Sequence, residues 1–197
     1  MSMIDLKNPW SRYLGAAIAA AVLQTAILGY MVESRAAILR SGTEVLLKSV
    51  PVDPRDLLRG DYVVLNYDIS TIPAALITGD WPKAAQRTTV VVRLASQPDG
   101  FYAVTQAAFD SLPPMPGTVL LRSQLFDFNG IRLTGDSRLN VQYGIERYYV
   151  PEGEGRVLEQ ARNAALLSVA AKVSAAGTAQ IRTLLLDGKP VYEEPLY

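Results

Sequence analysis

The chain has 197 residues, of which 19% are charged and 49% apolar, and 19 basic side chains cancel 19 acidic ones. That length allows about one ordinary domain plus an appendage, and zero net charge argues against nucleic acid, whose partners carry a basic surplus. Cysteine and histidine are both absent, which excludes disulfides, thiolate or imidazole metal sites, a cysteine nucleophile and the Ser-His-Asp triad.

The first element is a charge-free run, residues 13–32, YLGAAIAAAVLQTAILGYMV. About 20 such residues are enough for a helix to cross a hydrocarbon core. Trp10 and Tyr13 suit the interface just before it. A cleaved signal peptide has a shorter apolar region and a small-x-small cleavage site, whereas this run leads into Glu33-Ser34-Arg35. The expectation is therefore a cytoplasmic tail over 1–12, a transmembrane anchor over 13–35 and an extracytoplasmic β-rich domain over 36–197. Lys7 and Arg12 precede the span while Arg35, Arg40 and Lys48 follow it, so positive charge alone does not orient it. The short leading tail favours the N-terminus inside. Gly15 with Ala19, and Ala16 with Ala20, stand four residues apart. That spacing lets a second helix approach closely, and a polytopic membrane protein is the partner it suggests.

After the anchor the chain carries 16 basic and 17 acidic residues, and strand signals dominate. Thr43 to Val52 reads as a strand ending at Pro51, with Asp53-Pro54-Arg55-Asp56 as a turn. Asp61 to Asp68 reads as a second strand. Residues 72–76, IPAAL, suit a short helix with proline in its first turn. Thr88 to Ala95 is rich in β-branched residues, and Pro98-Asp99-Gly100 turns it into Phe101–Thr105. A proline-rich loop, 112–117, leads to Thr118–Phe126; Asn129-Gly130 marks a turn, with Ile131-Arg132-Leu133 continuing the pattern. Leu139–Tyr143 alternates apolar and polar residues. Gly155 to Leu166 shifts to helical spacing, after Glu152 and Glu154. Two or three closing strands follow at Ser168–Val173, Gln180–Leu186 and Val191–Glu194, the last two joined by Asp187-Gly188-Lys189. The predicted fold is mainly β: one transmembrane helix, then a β-sandwich or partly open barrel of about nine strands with one or two short helices.

The segment Arg59-Gly60-Asp61-Tyr62-Val63-Val64-Leu65-Asn66-Tyr67 fits G-D-Y-x-x-L-x-Y at every fixed position. It resembles the GDYXXLXY family, bacterial membrane-anchored proteins named for that octapeptide and of unassigned function. The resemblance extends upstream through 51–55 and downstream to Tyr143-Gly144-Ile145-Glu146-Arg147-Tyr148-Tyr149-Val150-Pro151-Glu152-Gly153. It implies location and architecture but no reaction.

Alternation along a strand puts Asp61, Val63, Leu65 and Tyr67 on one face and Tyr62, Val64 and Asn66 on the other. Two readings follow. In one, the octapeptide is a turn-and-core device: Gly60 for the bend, the Asp61 carboxylate for orphan donors, Leu65 and Tyr67 for packing. In the other it walls a recognition groove, with Tyr62, Tyr67, Tyr143, Tyr148 and Tyr149 as aromatic sides and Asp61 or Glu146 as polar points. Glu146 and Arg147 are neighbours and face opposite sides of a strand. Two carboxylates in Glu152-Gly153-Glu154-Gly155 are too few for calcium, which takes six to eight oxygens, so neither metal nor cofactor is expected.

One enzyme class survives the missing residues, a membrane-anchored hydrolase using serine and lysine or paired carboxylates such as Asp61 and Glu146. Lys48 and Ser49 are adjacent on a strand and point apart, and no Ser-Met-x-Pro block follows the anchor. The expectation is a non-enzymatic binding or assembly module, probing either a protein partner or a small ligand whose identity the residues do not give.

Overall fold

A computed structural model describes residues 9–51, 62–149 and 166–195, with side chains from Tyr13 onward in the first stretch. The chain divides into two compact units, residues 1–37 and 38–197.

Helix α1 covers Pro9–Ser41, 33 residues. The alanine and leucine that dominate it are strong helix formers. Within α1, Tyr13–Ser41 is long and apolar enough to cross a membrane. Every side chain from Tyr13 to Arg35 is exposed. The hydroxyls of Thr25 and Ser34 turn back onto the helix, bonding the Ala21 and Met31 carbonyls, each at 2.9 Å. Gly42 ends α1, its N–H bonding the Ile38 carbonyl at 2.8 Å. A Cβ at Gly42 would stand 2.6 Å from that oxygen, so only glycine fits the exit.

The second unit is built from antiparallel pairs. In chain order its strands are β1 Thr43–Lys48, β2 Tyr62–Val64, β3 Thr71–Pro73, β4 Gln86–Thr88, β5 Val91–Ser96, β6 Tyr102–Ala108 and β7 Thr118–Arg122. Then come β8 Phe126–Phe128, β9 Arg138–Asn140, β10 Arg147–Tyr149, β11 Leu167–Val173, β12 Ala179–Leu186 and β13 Lys189–Glu193. The largest sheet has the order β1-β11-β12-β13; a second is β6-β5-β7; β2-β10, β3-β9 and β4-β8 form ribbons. No sheet closes into a barrel among the described residues.

The central strand β11, LSVAAKV, is buried at six of seven positions, the near-continuous apolar run of a strand covered on both faces. The turn between β12 and β13 has φ 49° at Asp187 and 73° at Gly188, the paired positive angles that match a tight hairpin to the strand twist. One apolar core joins the pieces: Val45 and Leu47 of β1, Val63 of β2 with Leu65 and Tyr67 beyond it, Val92 and Leu94 of β5, Val169 of β11 and Leu184 of β12. Burying side chains of this size contributes roughly 1.5–3 kcal/mol each.

Arg93 lies in the middle of β5 and is only 3% exposed. Its guanidinium is met by neutral acceptors: Nε by Gln106 Oε1 at 3.1 Å, one terminal nitrogen by Thr118 Oγ1 at 3.3 Å, the other by the Pro113 carbonyl at 2.7 Å. Arg93 thereby ties the proline-rich loop to the three-stranded sheet.

Several local expectations shift. Of the strand expected over 61–68, Tyr62–Val64 is β2; beyond it Tyr67 makes an isolated antiparallel bridge to Ser49, the residue after β1. The short helix over 72–76 resolves into β3 and a single 3-10 turn, Ala74–Leu76. Residues 131–133 lie outside any strand: Asn129 makes its turn, with Oδ1 accepting the Ile131 N–H at 2.9 Å, but β8 pairs back with β4. The turn at 53–56, the helix over 155–166 save Leu166, and the acidic stretch 152–155 lie outside the described residues.

Candidate functional site

The two motif blocks form one ribbon. Strand β10 pairs antiparallel with β2, setting Tyr149 opposite Tyr62, Tyr148 opposite Val63 and Arg147 opposite Val64. The Leu65 N–H continues the ladder to the Glu146 carbonyl at 2.8 Å. Alternation holds along the octapeptide, with Val63, Leu65 and Tyr67 buried and Tyr62, Val64 and Asn66 half-buried.

Two tyrosines lock the blocks together. The Tyr67 hydroxyl donates to the Ile145 carbonyl at 2.6 Å, and the Tyr143 hydroxyl to the Ile69 carbonyl at 2.7 Å. Both rings are buried. Burial pushes both phenols well above their ordinary pKa, and the nearby Glu146 carboxylate pushes the same way. Glu146 itself holds the turn at 143–146, its carboxylate accepting the N–H groups of Tyr143 at 2.5 Å and Gly144 at 2.8 Å. Gly144 has φ 86°, in the left-handed region that side chains resist.

The other face of the ribbon carries Tyr62 and Val64, half-buried, and Arg147 and Tyr149, exposed. Tyr62 and Tyr149 rings lie 5.8 Å apart, and the Arg147 guanidinium sits 5.5 Å over the Tyr62 ring. Tyr148 points inward toward Tyr192, ring centroids 6.1 Å apart. Burial and a hydrogen bond with the Glu194 carboxylate push its pKa up to about 12. Gly60 and Asp61 lie outside the described residues, as do Arg59 and residues 150–153. Gly15, Ala16, Ala19 and Ala20 are exposed on α1.

Among the described residues, two cavities lie beside the ribbon. The larger, about 440 Å³, is lined by Asn66, Ser70, Thr71, Gln124, Asn140 and Gln142, with Phe126 among its apolar residues. The smaller, about 280 Å³, shares Gln124 and Gln142 and is bounded by Gly144, Glu146 and Arg147. Main-chain bonds pin the walls: Gln124 N–H to the Gln142 carbonyl at 2.6 Å and Val141 N–H to the Ser70 carbonyl at 2.9 Å. The Thr71 hydroxyl bonds Asn140 Oδ1 at 3.0 Å. Sequence reasoning did not single out these six residues. Asn66 alone had a signal, since alternation turned it away from the core; Gln124 and Gln142 come together only through the fold. Among the described residues, no group of three acidic side chains gathers as a metal site would need.

Fold and site together define a β protein led by one apolar helix, with the described part of the octapeptide, Tyr62–Tyr67, at the centre of its motif ribbon. The family model described as GDYXXLXY protein matches residues 24–184, and the chain belongs to that family. No curated protein and no solved structure matches it.

Proposed function

We propose that this protein is a membrane-anchored, non-enzymatic binding or assembly module. In this reading α1 spans the bacterial inner membrane, the β domain stands on the extracytoplasmic side, and the whole serves as an accessory subunit of a polytopic membrane protein. The observation that carries the reading is the surface of α1. From Tyr13 to Val32 it is free of charge, apolar save for Gln24, Thr25 and Tyr30, and exposed throughout, a pattern suited to lipid or to another membrane helix and unfavourable in water.

The side-chain arrangement supports binding over hydrolysis. Glu146 has its carboxylate engaged by two main-chain N–H groups. Lys48 pairs with Asp99 at 2.7 Å on the surface while Ser49 is buried, which separates the one lysine and serine adjacent in sequence. The polar cavities beside the motif ribbon supply a recognition surface instead.

Mild-detergent purification of the full chain, beside a version with residues 13–35 replaced by an unrelated apolar helix, tests the reading by mass spectrometry of what accompanies each. A polytopic membrane protein recovered only with the native helix makes this a helix-docked subunit. One recovered with both moves the contact to the β domain. Recovery of none with either removes the assembly role.

A further inference from the structure

We infer that the larger cavity beside the motif ribbon binds an uncharged, polyhydroxylated ligand, a saccharide segment. This rests on the reading of the β domain as a recognition module and names the ligand class of that same surface.

The size is appropriate: about 440 Å³ falls within the range of small-molecule sites, roughly 300–1,000 Å³. The chemistry is more selective. None of the lining residues is charged, so an anion or cation finds no counter-charge there. Four carry primary amides, Asn66, Gln124, Asn140 and Gln142, and two carry hydroxyls, Ser70 and Thr71. A primary amide offers donors and an acceptor side by side, matching a sugar hydroxyl that both donates and accepts. The side-chain amides of Gln124 and Gln142 have no hydrogen-bond partner among the described residues, and Asn140 uses only its oxygen, toward Thr71. Phe126 adds an aromatic surface for the C–H face of a sugar ring.

A second, independent observation comes from Ser70. It is 5% exposed, and its hydroxyl has no hydrogen-bond partner among the described residues. Its main chain is fully used, the N–H by the Tyr67 carbonyl at 3.0 Å and the carbonyl by Val141. A buried hydroxyl left unpaired carries a desolvation cost that a ligand group reaching it removes. The smaller cavity continues the groove past Gln124 and Gln142 to Glu146 and Arg147, so a chain of several sugar units has somewhere to extend. A peptide added in strand register would be held by a row of main-chain donors and acceptors; this cavity is distinguished by side-chain amides and hydroxyls.

The test is calorimetric titration of the full chain, in a zwitterionic detergent without sugar headgroups, with chitotetraose, maltotetraose, cellotetraose, tetragalacturonate and a blocked uncharged tetrapeptide. The expected result is binding of a neutral saccharide, weakened about tenfold by Gln142→Leu or Gln124→Leu and unchanged by Gln97→Leu, a surface glutamine that does not line the cavity. Both cavity glutamines are exposed, so these variants retain the fold. Saccharide binding indifferent to both substitutions overturns the assignment of the site. Binding of the peptide or of tetragalacturonate alone overturns the ligand class while leaving a recognition surface in place. No binding of any probe overturns the saccharide inference, whereas the assembly reading stands or falls separately on the partner purification.

Discussion

Tyr67 and Tyr143 make reciprocal bonds across the motif ribbon. The first donates its hydroxyl to the Ile145 carbonyl, 78 residues further along the chain, and the second donates to Ile69, 74 residues back. Each block therefore supplies a buried ring and a main-chain acceptor to the other. Two distant stretches become one structural piece, on which the polar cavities rest.

Removing one hydroxyl should expose this coupling. Tyr67→Phe keeps the packed ring but strands a buried carbonyl, at a cost of about 1–3 kcal/mol. Tyr67→Ala adds a cavity and should cost roughly 3–5 kcal/mol. Urea unfolding of the detergent-solubilised chain, followed by tryptophan fluorescence, measures both. Tyr143→Phe should behave like Tyr67→Phe, and the double variant tests whether the two bonds act as a unit.

Glu146 should matter as an acceptor. Glu146→Ala leaves the N–H groups of Tyr143 and Gly144 without their carboxylate and should destabilise by about 1–3 kcal/mol. Glu146→Gln retains one oxygen and should recover part of that loss. Equal stability of the two variants, read from unfolding midpoints, would show that the turn does not depend on this side chain.

Alkaline pH should destabilise the fold. Tyr67, Tyr143 and Tyr148 all have phenol pKa values raised above 10 in the folded chain, Tyr148 to about 12. A raised folded value means the protonated form is held more tightly folded than unfolded. The associated stability is complete below pH 10 and declines as pH climbs from 10 through 12. Unfolding midpoints from pH 8 to 11 should be flat and then fall. Tyr148→Phe should make the fall shallower.

Arg93 predicts a geometry requirement. Its planar fork reaches three acceptors on three segments at once, which a lysine point charge cannot do. Arg93→Lys should cost about 1.5–3 kcal/mol and speed proteolysis in the 112–117 loop, detected by mass spectrometry of the fragments. Unchanged cleavage there would argue against Arg93 as the tie.

Much of this protein was legible in one dimension because the relevant forces are local. A charge-free run predicts an apolar helix by length alone, and α1 exceeds that run at both ends because nothing between Pro9 and Gly42 breaks it. Period-two alternation correctly put Val63, Leu65 and Tyr67 on one face. The residue chemistry of Asp99-Gly100 and Asp187-Gly188 announced turns between neighbouring strands. What no local rule contains is which distant strands pair. The choice of β10 as the partner of β2, and of β4 for β8 in place of residues 131–133, was decided by how apolar faces close into one core. Tertiary pairing likewise gathers Asn66, Ser70, Gln124 and Gln142 around one cavity. Each is an ordinary polar residue where it stands, and only the packing of three segments, 66–71, 124–126 and 140–142, makes them neighbours.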